Sequence, residues 1–237
     1  MAIAFWAAGS AVTGTATTLA LVAPTLNVND IIIAQISSED NDAHLAPDST
    51  WTAINALNNG TALRSSLWWK RAVTGSSGAT FTFTSFAGTS GNIGILTAFR
   101  GCKVDNSPIG SVTSSANVSA DAVTYATLTP TANTSAIIAA GFYADDATTA
   151  GTITSTAPSS FTNIVDVESA AADNLSLFQY WGINNVGWAT GALSHATTST
   201  ADAVNNGILF ELLSDTPANG GAGGVTYPRR DRLGTRE

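Results

Sequence analysis

Apolar and polar residues along this chain alternate with a period of two. Phe81 and Phe83 interleave with Thr80, Thr82 and Thr84. Across residues 63–71, positions 63, 67 and 69 fall on one side, and Arg64, Ser66 and Lys70 on the other. Ile93, Ile95 and Phe99 share a side opposite Gly94 and Ala98, and Leu175, Leu177, Trp181 and Ile183 share another. Side chains of an extended chain point alternately to the two faces of a sheet, so the pattern predicts half-buried strands. Turn residues separate the runs at Asn58-Asn-Gly, Thr74-Gly-Ser-Ser-Gly and Pro158-Ser-Ser. No stretch of a dozen residues carries a helical stripe, and Thr and Val, which suit pleated surfaces, are enriched. The predicted fold class is all-β, an antiparallel β-sandwich or jelly roll.

The runs occur twice. Asp30-Ile-Ile-Ile-Ala-Gln-Ile-Ser-Ser-Glu-Asp is echoed by Ser135-Ala-Ile-Ile-Ala-Ala-Gly-Phe-Tyr-Ala-Asp. Trp51-Thr-Ala-Ile matches Phe161-Thr-Asn-Ile, and Ser66-Leu-Trp-Trp-Lys matches Ser176-Leu-Phe-Gln-Tyr, both at an offset of 110. Asn92-Ile-Gly-Ile-Leu-Thr-Ala-Phe resembles Asn206-Gly-Ile-Leu-Phe-Glu-Leu-Leu. Four blocks in one order predict a duplicated unit much longer than a solenoid repeat, with Leu67 and Leu177 as matched core residues. The expected organisation is a first repeat over 1–112 and a second over 113–215, as two small sandwiches or one joint sandwich. Residues 216–237 form a tail: Thr216-Pro-Ala-Asn-Gly-Gly-Ala-Gly-Gly reads by composition as a flexible linker to a basic arm.

Charge sharpens this division. Only 11% of the 237 residues are charged, against about a quarter in ordinary globular proteins. Residues 1–228 hold 5 basic and 15 acidic side chains, whereas the last nine hold 4 basic and 2 acidic. An acidic body repels phosphate, which argues against nucleic acid as a partner. No apolar run approaches the ~18 residues of a membrane span, and the opening Met1-Ala-Ile-Ala-Phe-Trp reads as a first strand rather than a secretory signal. The low-charge, hydroxyl-rich surface suits a subunit held in an assembly.

Candidate chemistry is sparse. His44 reads as an exposed loop histidine and His195 as a polar strand histidine, and no Gly-x-Ser-x-Gly elbow accompanies them. The loops holding Asp40 and Asp42, and Asp145 and Asp146, gather carboxylates of the type calcium or a glycosidase would use. Asp-rich turns form for local backbone reasons as well, and no cofactor or metal is expected. Trp68 and Trp69 are adjacent, so one is expected inward and one outward, where an exposed indole would serve as a sugar platform or a protein anchor. Cys102 excludes a disulfide within the chain, and Arg100 and Lys103 beside it would lower its thiol pKa. In the tail, Tyr227, Arg229, Arg230, Arg232, Leu233 and Arg236 are the expected assembly contacts.

The blocks Asn29-Asp-Ile-Ile-Ile-Ala, Trp51-Thr, Leu67-Trp-Trp-Lys-Arg-Ala-Val-Thr-Gly-Ser-Ser-Gly-Ala-Thr-Phe-Thr-Phe and Leu96-Thr-Ala-Phe-Arg-Gly-Cys together resemble a two-copy β-sandwich family of tailed bacteriophages and prophages. The resemblance spans about residues 15–213. Ser49-Thr-Trp stands where the family has Gly-Trp, and Cys102 where Val is usual. It implies a virion-associated structural protein: a capsid decoration or cement protein, or a tail or fibre component. Its implied partners are other virion proteins and further copies of itself, and it carries no catalytic residues. A carbohydrate- or receptor-binding module on the virion surface, with a glycan as ligand, is the alternative, and a glycan depolymerase ranks third.

Overall fold

The computed structural model describes residues 2–120, 122–132, 134–144, 153, 160–169, 175–184, 189–190, 193–196 and 203–215, without the side chains of 118–120, 194–196 and 203. Among them are fifteen strands and no helix. The first half contains β1 (Ala4–Ala8), β2 (Val12–Gly14), β3 (Thr18–Val22), β4 (Ile31–Ser38), β5 (Thr52–Asn59), β6 (Leu63–Arg71), β7 (Thr80–Thr84) and β8 (Asn92–Arg100). The second contains β9 (Ile109–Ala120), β10 (Ala122–Tyr125), β11 (Ser135–Tyr143), β12 (Thr162–Glu168), β13 (Ser176–Asn184), β14 (Leu193–Ala196) and β15 (Ala203–Leu213).

Both halves have one strand order. The first sheet runs β1-β8-β4-β6-β5, with β2 continuing the line of β1 along β8. The second runs β9-β15-β11-β13-β12, which is the same path with each strand replaced by its counterpart. A two-stranded ribbon, β3 with β7 or β10 with β14, completes each half. All pairings are antiparallel.

Three cores stack these elements into four layers. Ile31, Ile33, Leu67, Ile95 and Phe99 of the first sheet pack with Ile138, Phe142, Leu177, Ile208 and Phe210 of the second, forming an inner core that draws on both halves. The other face of the first sheet, with Ile32, Ala34 and Leu96, is covered by Leu19, Leu21 and Phe83 of its ribbon. Ile137, Tyr180 and Leu209 are covered in the same way by Val123, Tyr125 and Leu193. Covering both faces explains why β4 is buried throughout and reads Ile-Ile-Ile-Ala instead of alternating. Each fully buried Leu or Ile contributes about 1.5–3 kcal/mol relative to exposure.

Strand register corrects two of the sequence alignments. The bulge in β5 falls at Ile54 and that in β12 at Ile164, in keeping with the match of Trp51-Thr-Ala-Ile to Phe161-Thr-Asn-Ile. Beyond it, Thr52 pairs with Trp69 and Thr162 with Trp181. Trp69 therefore corresponds to Trp181, Trp68 to Tyr180 and Leu63 to Leu175. Leu67 and Leu177 are both fully buried on the inner faces of corresponding strands, but they stand two residues apart. The counterpart of Leu67 is Gln179. Likewise Ser38 pairs with Asn92 and Tyr143 with Asn205, so Asn92-Ile-Gly-Ile-Leu matches Asn205-Asn-Gly-Ile-Leu, one residue earlier than the sequence comparison placed it. A one-residue slip would have put Ile95 on the wrong face.

The two sheets are also joined by polar side chains. Gln35 Nε2 donates to the carbonyls of Gly141 and Phe178, each at 3.0 Å. Asn59 Nδ2 donates to Asn117 O at 2.8 Å and Asn205 O at 3.1 Å. Asn206 Nδ2 donates to Ser65 Oγ at 2.9 Å. Such bonds satisfy the N–H groups of these buried side chains, which would otherwise be costly to bury.

Candidate functional site

His44 is not exposed: it is 3% accessible, against a sequence expectation of a surface loop. The chain after β4 folds back over the outer face of the first sheet, and the imidazole stacks on Phe86 with ring centroids 4.7 Å apart. Ser66 Oγ lies 2.9 Å from Nδ1 and Ser38 Oγ 2.7 Å from Nε2. Ser38 spends its hydroxyl proton on Asp40 Oδ1 at 2.9 Å, so it accepts from Nε2–H. Nδ1 consequently accepts from Ser66, because a neutral imidazole has one donor and one acceptor. The result is a one-way chain of hydrogen bonds from Ser66 through His44 and Ser38 to Asp40. Burial is the main cause that depresses the His44 pKa from 6.5 to about 4, with Asp40 opposing and Arg64 assisting.

The residue types are those of a serine hydrolase, but the placement is not. Ser38 and Ser66 are fully buried beside the almost buried His44, which leaves no approach for a substrate. An imidazole with a pKa about 4 is also a weak base at neutral pH. The cluster plugs the outer core.

Asp40 is similarly committed. Its Oδ1 accepts from Ser38 and from the Asp42 amide at 2.9 Å, and its Oδ2 from the Ala87 amide at 3.2 Å. Asp42 is exposed. Asp145 and Asp146 lie outside the described residues. Among the described residues no three His, Cys, Asp or Glu side chains converge as a metal would require. A carboxylate that sequence reasoning passed over is Glu211, fully buried in β15. Its Oε2 accepts from the Ser111 and Thr131 amides and the Thr131 hydroxyl, and its Oε1 from the Ala132 amide. It pins the segment before β11 against β9. The available signal is its setting, a lone carboxylate in the continuous apolar run Ile208-Leu-Phe-Glu-Leu-Leu, which marks a strand buried on both faces.

Trp68 and Trp69 do point to opposite faces, yet neither projects freely: Trp68 packs on the outer core and Trp69 on the inner one. Trp51 is buried edge-on to Phe81 and Phe83. Trp188 lies outside the described residues. The exposed tryptophan among those described is Trp6, at 48%. The Arg100 guanidinium covers one side of its ring at 3.5 Å, and its Nε1 donates to Thr25 O at 3.0 Å.

Arg100 leads to an open concavity. A shallow cavity of about 260 Å³ is bordered by Val28, Asp30, Arg100, Cys102, Val104 and Asp215. Within it Asp30 receives a two-pronged bond from Arg100 Nε and Nη2, both at 2.8 Å. Cys102 is buried there, and desolvation pushes its thiol up to about 12 despite the opposing charge of Arg71. The expected lowering fails because burial outweighs the nearby cations and Arg100 is already paired. Asp215, the last described residue, sits at this rim, with its amide on Gly101 O at 3.1 Å. The arm residues Tyr227, Arg229, Arg230, Arg232, Leu233 and Arg236 lie outside the described residues, as does the side chain of His195, whose backbone pairs with Val123 in the second ribbon.

Compared with protein-family models, curated proteins and solved structures, the chain matches none.

Proposed function

We propose that this chain is a non-enzymatic structural protein of a bacteriophage particle, a capsid decoration or cement protein or a tail or fibre component, held by subunit contacts. The observation that carries the proposal is the sealed state of Ser38, His44 and Ser66 within the outer core. The closure of this cluster to substrate supports a reading in which the molecule works through its surface. The family resemblance of residues 15–213 supplies the phage context, and the low charge supports permanent assembly. Other virion proteins and further copies of the chain are its partners in this reading.

Quantitative mass spectrometry of gradient-purified particles tests the proposal. A fixed copy number, retained through salt washing, is expected. Absence from particles made by cells that express the chain would overturn it.

A glycan-binding module on the virion surface is the second reading, and Trp6 is the observation that favours it. One indole face lies under Arg100, and the ring is 48% accessible. Glycan-array binding lost in Trp6→Ala would support this reading, and an array without signal for the intact protein would reject it.

A further inference from the structure

Arg100, which ends β8 beside the cavity, is fixed along one edge and over one face, and open along its outer edge. Its Nε and Nη2 donate to the two oxygens of the buried Asp30 carboxylate, and its guanidinium lies over the Trp6 ring at 3.5 Å. Both supports are held in turn. Asp30 Oδ2 also accepts from the Asn27 amide at 2.8 Å, and Trp6 Nε1 donates to Thr25 O. A guanidinium carries five N–H groups in one plane, so two are spent on Asp30 and three remain, on Nη1 and Nη2. Among the described residues no group accepts from these three. The Arg100 side chain is 22% exposed, against 3% for Asp30. The Nη1–Nη2 edge is therefore an accessible two-pronged donor whose plane is set before a ligand arrives.

Such an edge fits the paired oxygens of a carboxylate or a phosphate. A net charge of −8 opposes a doubly charged phosphate more than a singly charged carboxylate. The rest of the cavity indicates what carries that carboxylate. Asn27 and Asn29 border it, exposed and with side-chain amides unbonded among the described residues, and each amide offers both donors and an acceptor. Val28 and Val104, 58% and 42% exposed, add apolar surface. A sugar ring presents the same mixture, with hydroxyls at its rim and C–H groups on its faces. At about 260 Å³ the cavity is smaller than the roughly 300–1,000 Å³ of drug-sized sites, which suits a single ring.

We infer that this cavity takes the ring of an acidic sugar, a hexuronate, with its carboxylate on the Nη1–Nη2 edge of Arg100 and its hydroxyls on Asn27 and Asn29. For its ligand class the inference rests on the glycan-binding reading above, and it moves the contact from the open indole face to the adjoining cavity. Trp6 is then a positioning residue for Arg100.

Nuclear magnetic resonance titration of the full chain, labelled with ¹⁵N, provides the test. Glucuronate is the probe, and glucose, acetate and inorganic phosphate are the comparisons. The reporters are Arg100 Nε–H, the Trp6 indole N–H and the amides of Val28 and Val104. Saturable shifts with glucuronate are expected, with affinity at least about tenfold lower for each comparison compound, since each lacks either the carboxylate or the ring. Arg100→Lys keeps the charge without the fork and should lose at least about tenfold in glucuronate affinity. Asn27→Ala combined with Asn29→Gly should bring glucuronate down to the level of acetate. Glycine suits position 29, where φ is 74°, and this double variant leaves Arg100 and Asp30 in place, so it decides the matter if Arg100→Lys misfolds. Glucose, acetate or phosphate binding as tightly as glucuronate, shifts that spare the four reporters, or a folded double variant with unchanged affinity would overturn the inference. A glycan array bound only through neutral glycans, with the signal lost in Trp6→Ala, would sink this inference and leave the glycan-binding reading standing. Cavity shifts with free glucuronate beside a silent array would sink the reading of a glycan-binding module and leave the site.

Discussion

Acid should destabilise this protein through His44 well before ordinary carboxylates titrate. The folded imidazole has a pKa about 4, against 6.5 when unfolded. Between these values the unfolded chain binds more protons, so stability falls as pH drops through that window and is unaffected by His44 above it. At about 1.4 kcal/mol per pH unit, the full loss is about 3 kcal/mol, with about 2 kcal/mol already gone near pH 5. The proton would enter at Nδ1, where Ser66 would have to surrender its donated bond and a charge would sit against Phe86. Urea unfolding followed by tryptophan fluorescence at about pH 7.5 and about pH 5 measures the loss, and His44→Gln isolates it. The variant is expected to be less stable than the parent at neutral pH, because it lacks the ring on Phe86, and to lose about 2 kcal/mol less on acidification. Equal acid sensitivity in the two proteins would refute the reasoning, since the carboxylates are common to both.

Further substitutions probe the three cores. Gln179 is fully buried with neither amide atom bonded, in the position that Leu67 fills in the first half, so Gln179→Leu should stabilise by about 1–3 kcal/mol in thermal or urea melts. Gly94 and Gly207 correspond, each beneath its ribbon, but an added Cβ at Gly94 meets chiefly the flexible ends of Leu19 (Cδ2 at 2.6 Å) and Leu21 (Cδ1 at 3.3 Å), whereas at Gly207 it strikes the Thr124 main-chain carbonyl. Gly207→Ala should therefore cost about 1–3 kcal/mol and Gly94→Ala clearly less; the reverse order would contradict the layer assignment. Glu211→Gln should cost about 2 kcal/mol, because its amide group would face the N–H of Ala132 or the donors of Thr131.

The strands were legible because their alternation survives where one face differs from the other, as in Phe81 and Phe83 against Thr80 and Thr82. The layering was not: β7 alternates visibly, but nothing in its pattern says that it lies over the second face of the sheet. β3 and β14 are short, and their effect is to bury the second face of each sheet, so Ser66 and Lys70 read as a solvent face although both are buried. The same covering layer conceals His44, whose neighbours Ser38 and Ser66 come from β4 and β6 and lie 6 and 22 residues away. The alignment errors of one and two residues have a related cause. Identity among Leu, Trp and Gly is scarce, so only hydrogen-bond register distinguishes same-face positions two residues apart, and in β8 and β15, apolar on both faces, even a one-residue slip leaves the pattern unchanged. The duplicated order of blocks was visible at once, since order does not depend on register.

The bonds from Gln35 to Gly141 and Phe178 bear on how such a chain can diverge. Their acceptors are main-chain carbonyls, which every residue type supplies. Substitution in β11 or β13 therefore leaves the acceptors in place as long as the backbone path holds. On the donor side, by contrast, the amide of Gln35 has no substitute among apolar residues. Drift is thus expected to be lopsided across this contact: on the accepting strands only packing restricts the side chains, whereas the donating position is held by its hydrogen bonds as well. A lineage can rewrite the surface, and exchange one apolar core residue for another in β11 or β13, while the two sheets keep docking in one register.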